Sequence, residues 1–317
     1  MTLTQLSAFV LVARLGSVKA AAKALNVSEP AVSQALAALR QHLDDQLIVR
    51  DAATMTLTSG GSRLLPIASQ MVALGAEAQA AVRAAQGLPM QLRLVTSSVI
   101  AEFIAGPLAD AFARRLGRPV ETSSGVAAAT EMPVLVANRL ADVALGPDLA
   151  SPGQELVSEP VFRCKLIAVS APRGGSRAAP RGPAASWQWL VDPSGVDPAS
   201  DTSRLLRRLG VPESRVMVFP NQTAAQAAAD GDGVAPGVAH LLSHQLRRGE
   251  LRPVETAATP MEATWYASSL PRGLRPGVVG SLRQFLSTPV AMHLMRAPHG
   301  GVPPSAFRPP VYVTIWS

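Results

Sequence analysis

Few side chains in this sequence carry reactive chemistry, and their spacing limits what they can do. His240 and His244 stand four apart, close enough to share a metal on one helix face, but no third ligand of matched spacing accompanies them, and they read as surface or helix-end histidines. Cys164 is the only cysteine, which excludes an intrachain disulfide or a cysteine-built metal site and suits a reducing compartment. Gly231-Asp232-Gly233 is too short to cradle a phosphate. No nucleophile elbow, metal set or paired acid and base can be assembled, so the chain reads as a binding protein and not an enzyme, with no cofactor. The clearest local chemistry belongs to three hydroxyls. Ser17, Ser28 and Thr58 each precede a helical pattern, where a side-chain oxygen accepts a hydrogen bond from a free backbone amide.

These hydroxyls punctuate a sequence of short elements. Leu3, Leu6, Phe9, Val10 and Ala13 fall at helical spacing and Gly16 ends that helix. A second helix follows Ser17, with Val18, Ala21, Ala22 and Leu25 on one face, and Asn26-Val27 form a turn. Ser28 caps a third, in which Glu29 supplies negative charge to the first turn and Pro30 sits where no intrahelical amide is needed. Its apolar positions Val32, Leu36, Leu39 and Leu43 leave Glu29, Ser33, Gln34 and Ala38 on other faces. Leu47 to Arg50, a polar break at Asp51 to Thr54, and alternating Met55 to Thr58 predict a hairpin. Three helices and a hairpin in this order predict a winged helix-turn-helix whose third helix fits a major groove. The alanine-rich stretch from Thr58 to about Gln86, with Leu64, Leu65, Ala68, Met71, Val72, Gly75, Ala78 and Val82 at helical steps, predicts one helix of roughly 40 Å. So long a helix needs a partner for its apolar stripe, which predicts a dimer.

After Gly87 and Pro89 the period changes. Strands are predicted at Leu92–Thr96, Val120–Ser123, Ala141–Gly146, Lys165–Ser170, Val216–Pro220 and Thr264–Ser268, separated by helical stretches. The alternation predicts a mainly parallel sheet with helices on both faces. Pro- and Gly-rich loops are expected at 171–186 and 297–310, and Val311 to Trp316 alternate like a strand. The net charge of +7 suits a polyanionic partner. It does not mark the DNA-binding end, because residues 1–58 hold five basic groups (Arg14, Lys19, Lys23, Arg40, Arg50) against four acidic ones (Glu29, Asp44, Asp45, Asp51). The N-terminus lacks a signal-peptide pattern and no stretch reaches the roughly 18 apolar residues of a membrane span, so a cytoplasmic protein without membrane contact is expected.

Residues 16–50 resemble the signature of the LysR-type transcriptional regulators. The resemblance is carried by Gly16-Ser17, Ala20 to Leu25, Ser28, Pro30-Ala31-Val32-Ser33, Leu36, Leu39, Leu43, Leu47 and Arg50. The family usually has Gln at Glu29, an acidic residue at Arg40, Gly at Asp44 and Phe at Ile48. The resemblance implies that residues 28–40 form the recognition helix, with Ser28, Glu29, Pro30, Ser33 and Gln34 at the DNA and Arg50 at a phosphate. Short residues permit close approach and a Gln amide can pair with an adenine edge, whereas an ionised Glu29 can only accept, as from a cytosine amine.

More loosely, residues 91–296 resemble that family's effector domain, two-lobed and similar to periplasmic binding proteins, with Asp230 to Pro236 as the strongest local match. The implied fold class is α/β, with an N-terminal winged helix-turn-helix (1–58), a linker and dimerisation helix (59–90), and a two-lobed effector domain (91–296). Lobe I would take about 91–161 and 266–296, lobe II about 162–265, and a Pro-rich tail 297–317. A ligand would lie between the lobes, near Ser97, Ser98, Ser123, Ser124, Ser194, Thr202 and Asn221, and these donors favour a small anionic effector. The implied partners are double-stranded promoter DNA, further copies of the chain as a dimer and then a tetramer, and RNA polymerase if the protein activates. A regulator without ligand response, or a solute-binding protein or enzyme built on the C-terminal fold, is the alternative.

Overall fold

The computed structural model describes residues 1–51, 54–117, 119–150, 156–170, 182–228 and 233–297. Side-chain caps set the limits of its first three helices. Thr2 and Gln5 exchange hydrogen bonds to start α1 (Leu3–Leu15), and Gly16, at φ 64°, ends it. Ser17 accepts from the Ala20 amide to open α2 (Val18–Leu25), which ends on Asn26 at φ 53°. Ser28 opens α3 (Glu29–Leu43), and Asp44 ends it at φ 51°, a left-handed conformation that a glycine would adopt without strain. β1 (Ile48–Asp51) and β2 (Thr54–Leu57) form an antiparallel hairpin in which Ile48 faces Leu57. Phe9, Leu11, Leu39 and Leu47 are fully buried at the centre of this head.

Thr58 accepts from the Gly61 amide at 2.9 Å and starts α4 (Ser59–Ala85), which lies along α1 through buried Ala68 and Val72. A Cβ at Gly60 would stand 2.0 Å from Asp45 Oδ2 and one at Gly61 2.0 Å from the Leu47 carbonyl. Gly61 therefore demands glycine, because a backbone carbonyl occupies the space, whereas at Gly60 the obstacle is the end of the Asp45 side chain. Pro66 lies inside α4, where a missing amide costs a helix about 3 kcal/mol. Packing on α1 carries the helix through it.

The remainder is α/β. Its first part contains β3 (Met90–Thr96), α5 (Ser98–Phe103), α6 (Ala105–Leu116), β4 (Val120–Val126), α7 (Met132–Ala137) and β5 (Val143–Gly146). β6 (Val157–Ser170) leads into β7 (Trp189–Val191), α8 (Asp201–Arg208), β8 (Val216–Val218), α9 (Gln222–Ala228), β9 (Ala235–Val238), α10 (Ser243–Arg247) and β10 (Arg252–Val254). β11 (Met261–Ser269) returns to α11 (Gly277–Leu286) and α12 (Pro289–Arg296). One sheet has the order β10-β6-β11-β5-β3-β4, with β9 also on β6, and β7 pairs with β8 separately. The register of β6 and β11 slips by one residue between Trp265 and Tyr266.

The sheet is mixed and not mainly parallel. β3–β4, β3–β5 and β7–β8 are parallel, whereas every pairing of β6 and β11 is antiparallel. The reason is topological: the chain leaves the first lobe on β6 and returns to it on β11, so the two crossing strands run in opposite directions. β6 extends well before Lys165 because Glu159, Pro160 and Arg163 interrupt the apolar pattern without interrupting its pairing to β11. His240 lies in the turn before α10, half-buried, with Nε2 2.9 Å from the Met295 carbonyl and its ring 5.1 Å from Phe162, so it is neither a surface nor a helix-end residue. The terminal strand expected at Val311 to Trp316, most of the loop at 171–186 and Asp230 to Asp232 lie outside the described residues.

Phe112 and Phe285 meet at 5.6 Å in the first lobe's core, and Trp189 is fully buried in the second. The apolar cluster of the head runs on into the first lobe through Val95, Met132 and Val136, and Glu77 of α4 pairs with Arg139 at 2.5 Å.

Candidate nucleic-acid interface and interlobe cleft

α3 buries one stripe, Val32, Leu36 and Leu39, and turns another outward. Glu29, Pro30, Ser33 and Gln34 are exposed, and Ala37 and Gln41 continue the same face at helical steps, whereas Ala38 is half-buried. Ser28 is also exposed, with its oxygen 3.3 Å from the Ala31 amide. Gln41 was readable from its spacing, four and eight residues beyond Ala37 and Ser33, but lies past the stretch that the signature singles out. The outward face offers amide and hydroxyl donors and acceptors beside short side chains, which is the chemistry that reads base edges.

The base of the hairpin is tied to this helix. Arg40 donates through Nε to the Gln46 carbonyl at 2.8 Å and through Nη2 to the Ile48 carbonyl at 2.8 Å. Asp45 Oδ1 accepts from the Leu47 amide at 2.6 Å and from the Thr58 hydroxyl at 2.8 Å, and these bonds hold its carboxyl below the usual carboxylate range. Arg40, an unusual residue for this position, is thereby a structural clamp between α3 and β1. Arg50 pairs with Met55 in the hairpin, and its side chain lies outside the described residues.

Between the lobes the hydroxyl groups expected to meet a ligand meet a carboxylate of the protein. The Ser98 hydroxyl at the start of α5 donates to Asp192 Oδ2, and the Ser194 hydroxyl donates to Asp192 Oδ1 at 2.5 Å and lies 3.2 Å from the Thr202 hydroxyl. Asn221 Oδ1 caps α9 at the Ala224 amide, 2.8 Å away. Ser97 precedes α5 without a side-chain cap bond, and its amide donates to the Leu145 carbonyl at 3.1 Å. Ser123 and Ser124 sit half-buried on the edge strand β4, opposite Arg93 and Leu94.

Three acidic residues that sequence reasoning missed connect the lobes. Asp192, Asp197 and Glu102 are 4%, 9% and 8% exposed. Asp197 accepts from the Ala129 amide at 2.5 Å, and Glu102 accepts from the Gln222 and Thr223 amides at 3.0 and 3.1 Å. Asp192 and Asp197 stand next to prolines and read as turn residues; Glu102 was detectable as the single charge in the apolar run Val99 to Ile104.

Comparison with known proteins agrees with both halves. The family described as "Bacterial regulatory helix-turn-helix protein, lysR family" matches residues 3–62, and "LysR substrate binding domain" matches residues 85–289. An uncharacterized HTH-type transcriptional regulator of Mycobacterium tuberculosis is 33% identical over 327 aligned residues, covering 100% of both chains. The HTH-type transcriptional regulator CfxR of Cupriavidus necator is 27% identical over 325 residues, covering 96% of each. Among solved structures, a full-length AphB variant superposes with a TM-score of 0.58 at 19% identity, over 90% of this chain and 98% of that one.

Proposed function

The chain belongs to the LysR family of DNA-binding transcription regulators, with an effector-binding domain behind its DNA-reading head, and from this premise we propose which residues read DNA and how the molecule assembles. The outward face of α3, namely Ser28, Glu29, Pro30, Ser33 and Gln34 extended by Ala37 and Gln41, enters the major groove, and Arg50 on the hairpin meets a phosphate. The observation that carries this reading is the division of α3 into one buried apolar stripe and one exposed polar face. Glu29 serves the first turn as a favourable charge and limits base choice, since an ionised carboxylate only accepts.

The protein works as a homo-oligomer. On α4, Ala68 and Val72 are turned toward α1, while Ile67, Leu74 and Val82 are 55%, 63% and 57% exposed. A second copy of α4 covers this stripe and sets the spacing of two half-sites. Higher assembly to a tetramer, a small-molecule effector acting through residues 85–289, contact with RNA polymerase if the protein activates, and a cytoplasmic location complete the proposal. Ser97, Ser98, Ser194, Thr202 and Asn221 border the cleft in which that effector acts, and Ser123 and Ser124 lie on the strand leading to it.

Gel shift against the DNA upstream of the protein's own reading frame tests the core of this reading. Arg50→Ala is expected to weaken binding to all sequences and to reduce the slope of log affinity on log salt by about 1, as one lost phosphate contact does. An unchanged slope removes Arg50 from the interface. Footprinting with and without a metabolite pool separates a ligand-responsive regulator from a constitutive one.

A further inference from the structure

Glu102 is a buried carboxylate in an otherwise apolar segment, flanked by the buried Ile100 and Ile104. Burial pushes its carboxyl above the usual range, and the nearby negative charge of Asp192 adds to the push. None of the ion pairs among the described residues includes Glu102, Asp192 or Asp197. An ionised group buried without a counter-charge is costly, and a leucine or methionine would fill the same space without that cost. What the carboxylate gains lies across the cleft: Oε2 accepts from the Gln222 amide at 3.0 Å, and Oε1 accepts from the Thr223 amide at 3.1 Å and from the Thr223 hydroxyl. These donors stand 120 and 121 residues away in sequence, in the other lobe.

We propose that Glu102 is an interlobe latch: its carboxylate closes the effector domain in the absence of a ligand, so that a ligand acting through the cleft has to take the Gln222 and Thr223 donors away from it. Asp197 on the Ala129 amide and Asp192 on Ser98 are further contacts between the same two lobes, and they are expected to loosen when the latch opens. The consequence for an effector rests on the reading that residues 85–289 respond to a small molecule; the latch itself rests on the contact geometry alone.

Hydrogen exchange of the full-length protein, read by mass spectrometry, tests it. In Glu102→Ala the amides of Gln222 and Thr223 are expected to exchange about tenfold faster, and the Ala129 amide to follow, while the β6–β11 ladder keeps its protection. Unchanged exchange at 222 and 223 overturns the contact. Faster exchange confined to 222 and 223, with Ala129 unaffected, overturns the latch and leaves a local cap. Should Glu102→Ala fail to fold, Glu102→Gln keeps the volume and one acceptor oxygen; its exchange at 222, 223 and 129 is expected between wild type and full exposure, and identity with wild type overturns the proposal. Absence of any ligand response in a protein whose exchange pattern follows these expectations counts against the effector reading and not against the latch.

Discussion

The longest-range side-chain hydrogen bonds of the head and of the effector domain span very different distances along the chain. In the head, Ser17, Ser28 and Thr58 each bond to an amide three residues on, Arg40 reaches eight residues to Ile48, and Asp45 reaches thirteen to Thr58. In the effector domain, Ser98 reaches Asp192 across 94 residues, Ala129 reaches Asp197 across 68 and Gln222 reaches Glu102 across 120. The head's polar bonds thus join near neighbours in sequence, whereas the interlobe bonds form only once two lobes have been assembled. The two regions are expected to respond separately to damage.

The largest separation is expected from Phe9→Ala. Removing a fully buried ring from the head costs about 3–5 kcal/mol and should abolish DNA binding. All four tryptophans, Trp187, Trp189, Trp265 and Trp316, lie outside the head, so the urea midpoint followed by tryptophan fluorescence should stay within about 0.2 M while the head's share of the helical signal is lost early. A fluorescence midpoint that falls with the helical signal means the shared apolar cluster welds the two regions into one cooperative unit.

Arg40→Ala sharpens the comparison within the head. It removes the donor to the Gln46 carbonyl, which is exposed, and to the Ile48 carbonyl, which is part-buried, and a loss of about 0.5–1.5 kcal/mol is expected in thermal denaturation. Because this guanidinium is committed to backbone, the salt slope of DNA binding should match wild type, in contrast to Arg50→Ala. A reduced slope would make Arg40 a phosphate ligand.

A smaller effect belongs to the effector domain alone. Burial pushes the His240 imidazole below its ordinary value, more than the Met295 carbonyl favours its proton. The unfolded chain takes up that proton near pH 6.5 and the folded chain only below it. Stability from this group is therefore complete above pH 6.5 and is lost as the pH falls through the lowered value. Tryptophan-detected unfolding should show a decline from pH 7 to 5 that is shallower in His240→Gln, and an identical decline in the two proteins would place the acid sensitivity elsewhere.

The same difference in range explains what the sequence disclosed. Ser17 with Val18 and Ser28 with Glu29-Pro30 announce helix starts at one or two residues' distance, and the hairpin follows from an alternation as short as Met55 to Thr58. The sheet was legible where strands alternate with helices, as from β3 to β5. It was misread at β6 and β11, because direction along a crossing strand is decided by a partner about a hundred residues distant. Ser98 was legible as a polar residue after a predicted strand and Ser194 as a polar residue of the second lobe, yet their common partner Asp192 was invisible. Nothing near Asp192 in sequence indicates that Ser98 will donate to it. Asp44 and Arg40 departed from the family pattern in a way that only the folded turn explains: one ends α3 in a left-handed conformation, and the other binds the carbonyls that follow it.

The close approach of backbone at Gly61 has a mechanical meaning. The start of α4 lies against the Leu47 carbonyl at Gly61, and Thr58 joins it to Asp45, so the stalk is seated directly on the turn before the hairpin. The 27 residues of α4 form a rod of roughly 40 Å seated against the reading head. Tilting such a rod by about 10° at its far end carries the head roughly 7 Å, about two base-pair steps along a duplex. If two copies pair through α4 as proposed, a slight change in how the stalks cross becomes a change in the half-site spacing that the pair can grip.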